Sequence, residues 1–196
     1  MSSRVIRRLG CGLIAGAFIL LVDALWVPAK AQVAQLLLNV AWEVTQTTGQ
    51  PQRAWPWADH YPVARFTAPA YDIDQIVLGG DSGAVLAFAP GENLEAKSVE
   101  GGARIISAHR DTHFRFLKKI SLGDEFVLED QKGTYRFKVV NTDVVNAKTT
   151  RIKPASNPNG LFLVTCFPFD ALQAGGDERF VVTAEPVSEN TKVDAI

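Results

Sequence analysis

Three residues in this chain have side chains suited to covalent chemistry, and each stands where a run of apolar residues begins or ends. Cys166 follows Leu161-Phe162-Leu163-Val164-Thr165, and Pro168 comes two residues later. Proline has no N–H to give to a central ladder, so the run should stop there and hold Cys166 at a strand's end. The other cysteine, Cys11, lies in an apolar N-terminal segment. If that segment enters a membrane, Cys11 cannot pair with Cys166, and an unpaired thiol in an exported domain is a candidate reactive group. The bland alternative is a small buried core residue. His109 closes Ile105-Ile106-Ser107-Ala108, and Arg179 opens Phe180-Val181-Val182-Thr183-Ala184. A thiolate is a nucleophile, a histidine can protonate a leaving amine, and an arginine stays charged and can bond an oxyanion. If the three ends converge, they suit acyl transfer through a thioester. Singly, His109 could be a structural histidine, and Arg179 could pair with Asp177 or Glu178 at the surface.

Other candidates are weaker. His109 and His113 are four apart, but Arg110 stands where a zinc protease motif carries Glu, and no third ligand is in view. No metal is assigned. Asp111 could orient a histidine or cap a turn at Phe114. Gly79-Gly80-Asp81-Ser82-Gly83 lacks the strand-to-helix context of a phosphate loop and reads as a turn.

The elements that position these residues are mostly short strands. The chain has 196 residues and a formal net charge of −1, with a pI near 6.3, which argues against a nucleic-acid binder. Arg4, Arg7 and Arg8 precede an uncharged run from Leu9 to Val22. Read through Asp23 to Val27, the run is long enough to cross a bilayer, with Trp26 as an interfacial anchor. Ala29-Lys30-Ala31 offers a cleavage site if the segment is instead a signal peptide. We favour the anchor. Val33, Leu36, Leu37, Val40, Ala41 and Val44 recur at helical spacing, which predicts an amphipathic helix that packs on the domain or lies along the membrane. Trp55-Pro56-Trp57 reads as a linker at the domain boundary. Strands are expected over Val63–Thr67, Ile73–Leu78, Arg104–Ala108, Glu125–Glu129, Tyr135–Val145, Leu161–Thr165 and Phe180–Glu185. One or two helical turns are expected over Phe114–Ile120. So many short strands read as a barrel or sandwich.

Three segments together resemble the signatures of sortases: Ile106-Ser107-Ala108-His109-Arg110-Asp111-Thr112-His113-Phe114, Leu163-Val164-Thr165-Cys166-Phe167-Pro168-Phe169-Asp170, and Arg179-Phe180-Val181-Val182. Ala54-Trp55-Pro56-Trp57-Ala58-Asp59, Pro62-Val63-Ala64-Arg65 and Leu86-Ala87-Phe88-Ala89-Pro90-Gly91 bring the resemblance closest to the Gram-negative subgroup. The resemblance implies an all-β fold, a closed barrel of about eight strands with short helices. It implies roles for Cys166 as nucleophile, His109 as acid and base, and Arg179 as oxyanion and substrate ligand. It also suggests that Thr165 contributes an oxyanion or substrate hydrogen bond; Asp111 is a further candidate substrate contact. The sequence departs from the family pattern at Ala108 in place of Gly, at Phe167 in place of Tyr, and at the acidic pair Asp177-Glu178. Some sortases bind calcium, but Asp72, Asp74, Asp81, Glu125 and Asp143 are scattered and no site or cofactor is assigned.

The resulting expectation is a signal anchor over 1–28, a helix and linker over 29–54, a catalytic barrel over 55–187 and a tail over 188–196. The protein would sit in the inner membrane with its barrel in the periplasm. Its partners would be an exported protein with an LPxTG-like C-terminal sorting signal and an amine acceptor. An L,D-transpeptidase is the nearest rival, but it would carry Ser-x-Gly-Cys-x-Arg where this chain has Leu-Val-Thr-Cys-Phe-Pro. A catalytically silent barrel that binds a partner is the other.

Overall fold

The computed structural model describes residues 33–98, 102–153, 157–171 and 175–187. The expected anchor and the tail lie outside these residues. Helix α1 covers 33–48, where apolar residues recur every three or four positions. It buries Leu38, Ala41 and Trp42. Among the described residues no helix is long and apolar enough to cross a membrane.

Eight strands follow: β1 (Pro62–Ala68), β2 (Ile73–Gly79), β3 (Gly91–Glu92), β4 (Arg104–Ser107), β5 (Glu125–Asp130), β6 (Gly133–Asn146), β7 (Leu161–Cys166) and β8 (Glu178–Pro186). They close into a barrel in the order β1-β2-β3-β4-β7-β8-β6-β5. β2 with β3 and β4 with β7 are parallel pairs. β1 also pairs with β5, which completes the ring. Closure leaves no free edge. Alternate residues turn inward and fill the barrel, as in β1, where every second residue is buried. Phe66, Phe114, Phe126 and Phe137 are the largest side chains in this interior, and Phe66 meets Phe126 with ring centroids 5.3 Å apart.

The pairings define two poles. β4 and β7 both run toward the end that carries His109 and Cys166. At the opposite end lie the starts of β1, β4 and β7, the β5–β6 turn, and α1. Leu38 and Trp42 of α1 pack there on Ile76, Leu78, Val85 and Ala89.

Three elements depart from the sequence reading. The stretch expected to be a turn and then a short apolar piece holds helix α2 (Gly83–Leu86). β3 and the following helix α3 (Leu94–Ser98) were not anticipated. β3 is too short to show a period. It passes so close to the preceding loop that a Cβ on Gly91 would lie 2.2 Å from the Gly80 carbonyl oxygen, so only glycine fits.

Candidate active site

On β7, Leu161, Leu163 and Thr165 are buried, while Phe162, Val164 and Cys166 alternate on the outer face. β8 lies antiparallel beside it, and Cys166 is directly opposite Arg179. β4 lies parallel on the other side, with Ser107 opposite Val164. The backbone continues that register past the strand's end: Ala108 N donates to Val164 O at 3.2 Å. His109 therefore stands level with Cys166. The ends of β7 and β8 and the segment just past β4, with neighbouring chains about 4.8 Å apart, thus bring Cys166, Arg179 and His109 to one level of the barrel. His109 is exposed, and Cys166 and Arg179 are half-buried. Cys166 is a free thiol.

Arg179 is held by backbone. Its Nη1 donates to Gly176 O at 2.6 Å and to Glu178 O at 2.8 Å. The expected alternative, an ion pair with Asp177 or Glu178, is not found; Asp177 pairs with Lys148 at 2.7 Å instead. Among the described hydrogen bonds only Nη1 is engaged, so the remaining face of the planar fork is available to a ligand.

Thr165 is placed differently from expectation. Its side chain is buried, and Oγ1 donates to Ala108 O at 2.7 Å. The inward side of the strand alternation explains this: the hydroxyl ties β7 to the segment that bears His109 rather than facing outward. Asp111 is exposed and lies 3.3 Å from Arg110 Nε. It does not cap the following turn, a 3-10 helix over Arg115–Lys119 whose N-cap residue is Phe114. His113 is half-buried. Burial, and then the nearby His109, hold its imidazole below the usual value of 6.5. Among the described residues no three potential metal ligands converge.

Arg110 is the residue that sequence reasoning missed. It is 5% exposed. Its Nη1 donates to Pro168 O at 2.6 Å and its Nη2 to Ala171 O at 2.9 Å. A buried guanidinium thus clamps the chain just beyond Cys166. Phe167 and Phe169 of that segment pack with Phe180 of β8, with Phe169 and Phe180 at 5.2 Å.

Beside these residues, β6 (Asp143, Val145), β8 (Val181, Thr183), Phe162 of β7 and the β6–β7 loop line a groove of about 250 Å³. Phe162 and Val181 form part of its floor, and Ile152 and Lys153 of the β6–β7 loop stand at its wall. Ile105 and Val164 join the same apolar cluster.

A closed β-barrel with this thiol, imidazole and guanidinium on one rung is a scaffold for cysteine chemistry at a strand end. A family model for the sortase domain matches residues 66–187, a span that contains all three residues, and the chain belongs to the sortase family. It is 29% identical over 90 residues to sortase D of Bacillus subtilis, a match covering 45% of each chain. The chain thus spans about half the length of this curated relative. Its fold is similar to that of sortase A from Corynebacterium diphtheriae, with a TM-score of 0.58 and 23% identity over 69% of this chain and 65% of that one. Sortase A of Listeria monocytogenes matches at a TM-score of 0.53 and 21% identity, over 64% of this chain and 87% of that one.

Proposed function

We propose that this protein is a cysteine transpeptidase of the Gram-negative type, anchored in the inner membrane and acting in the periplasm on an exported protein with an LPxTG-like C-terminal signal. The observation that carries the reading is the register that brings His109, Cys166 and Arg179 to one level of the barrel, near a groove on the outer face of β6 and β8. An extended peptide lying in the groove would set apolar side chains against Phe162 and Val181 and bring its scissile carbonyl to Cys166.

The reaction then balances as two acyl transfers. The Cys166 thiolate attacks the carbonyl carbon, a C–S bond forms, and the developing oxyanion accepts from the Arg179 fork. His109, protonated, gives its proton to the leaving amine as the C–N bond breaks. The thioester remains. An acceptor amine attacks it, His109 takes the amine proton, and the thiolate leaves. Asp111, exposed beside this rung, is proposed to contact substrate. Thr165 acts through the backbone it fixes.

The test is covalent. A peptide bearing the signal should give the wild-type protein an acyl adduct by mass spectrometry, and Cys166→Ala should show none while keeping its fold. An adduct on Cys166→Ala would overturn the assignment. A wild-type protein that binds the peptide without an adduct would make the barrel a binding module.

A further inference from the structure

Helix α1 is apolar on two faces, and the barrel covers one of them. Leu38, Ala41 and Trp42 are at most 4% exposed. Val33, Leu36, Leu37, Val40 and Val44 form a second stripe; Leu36 is 65% exposed and Val40 50%. At about 100° per residue the two faces are centred roughly a third of a turn apart. Gln35, Asn39, Glu43 and Gln46 occupy the remaining face, and a contiguous exposed apolar stripe marks an interaction surface, so the second stripe needs a cover. Trp57, 79% exposed, adds an aromatic to the same pole: Trp55, two residues earlier, packs on Phe88 at 5.2 Å, and the Phe88 carbonyl accepts from Gln35 Nε2 of α1.

The sequence before α1 says what the cover is. The apolar run that begins after Arg8 ends at Val27, and Val33 opens the stripe. Six residues reach at most about 20 Å even when fully extended. If the run sits in a bilayer, the stripe is held within that distance of its surface. We propose that the outer stripe of α1 lies in the lipid interface of the membrane that holds the N-terminal run, and that it orients the barrel with its catalytic end away from the bilayer. The proposal rests on the anchor reading above. The orientation follows from the poles: α1 packs at the end where β7 starts, and Cys166 lies five residues, roughly 17 Å, along that strand. The attachment is apolar, because Glu43 is the one charged residue in 33–48. A helix held by basic residues would release in salt; this one should not.

The full chain tests this, carrying Cys11→Ser and Cys166→Ala and a nitroxide at Val40→Cys, in phosphatidylcholine vesicles. The label should relax faster with lipid-soluble oxygen than with a water-soluble nickel chelate, with no change up to about 1 M salt. A label at Asp170→Cys, at the catalytic end, should show the reverse. Nickel access at position 40, or loss of the oxygen preference on raising salt, would overturn the proposal. So would protection from both agents with dipolar broadening between labels, which would place a second copy on the stripe. A carbonate wash after the depth measurement reads the anchor separately: a chain that washes off refutes the anchor, while the depth already measured decides the α1 face.

Discussion

At Arg179 a catalytic role and a structural role forecast different outcomes. Its guanidinium is fixed by two backbone carbonyls beside the thiol and leaves donors over. Removing one oxyanion donor typically lowers turnover by about 10²–10³. Arg179→Ala should therefore lose turnover on that scale with a nearly unchanged melting temperature. Arg179→Lys keeps the charge without the planar fork and should recover part of the rate. A rate loss that merely tracks unfolding would make Arg179 structural. The three residues of the rung were legible in the sequence because each marks a strand end, through a proline after Cys166 and apolar runs beside His109 and Arg179. Thr165 and Arg110 were not. Which way a strand residue faces at the last rung, and whether a charged side chain is buried, depend on partners far along the chain: Arg110 meets a carbonyl 58 residues away.

That clamp belongs to the scale of elements. β7 ends at Cys166, and the segment after it carries Phe167 and Phe169, which pack on Phe180 of β8. Arg110 satisfies two of its carbonyls, at Pro168 and Ala171. Without the clamp the segment can shift, and a misplacement of about 1 Å near reacting atoms can cost about 10²-fold in rate. Arg110→Ala should lower kcat/KM for a signal peptide by about that factor. Alkylation of Cys166 by iodoacetamide should be little changed, since a small reagent needs no loop. Arg110→Lys should recover only part, because an ammonium cannot span both carbonyls. Equal losses in alkylation and peptide turnover would mean that Arg110 acts on the thiol itself rather than through the segment it clamps. Most strands were readable from alternation, since each buries one face in a filled barrel. β3 was not, because two residues carry no period and its place is set by the backbone contact at Gly91. α2 and α3 were equally silent, being only four and five residues long.

Across the whole molecule, the candidate site and the buried charge network lie at opposite ends of the barrel. Burial holds both His60 and His113 below the usual imidazole value. An imidazole with a lowered folded pKa leaves the unfolded chain binding more protons, so stability is complete above about 6.5 and falls as pH drops toward the folded values. The melting temperature should decline from pH 7 to pH 5, and His60→Phe should flatten the decline; an unchanged slope would exclude His60 as a source. The buried charges at the end remote from Cys166 pose a harder question. Arg104 Nη2 donates to Glu92 at 2.9 Å and Nη1 to Asp130 at 3.0 Å. Glu92 has no exposed side-chain surface, and Asp130 has 6%. Lys97 reaches both carboxylates at about the outer limit, 3.5 and 3.4 Å, and is 30% exposed. Arg104 is thus the cation that makes two buried carboxylates tolerable. Removing one partner of such a network strands the others without water and typically costs about 3–5 kcal/mol. Arg104→Met should therefore lower unfolding stability by that amount in a denaturant titration. Glu92→Gln and Asp130→Asn added to Arg104→Met should restore much of it, because the one charge left, Lys97, is part-exposed and can be hydrated. Peptide turnover, measured where each variant is still folded, should stay near wild type, since the rung is a strand length away. A cost under about 1 kcal/mol would mean that the carboxylates take up protons or water readily and that this end of the barrel is far less closed than its packing indicates. A turnover loss in the restored triple variant would mean instead that the two ends are coupled through β4 and β7.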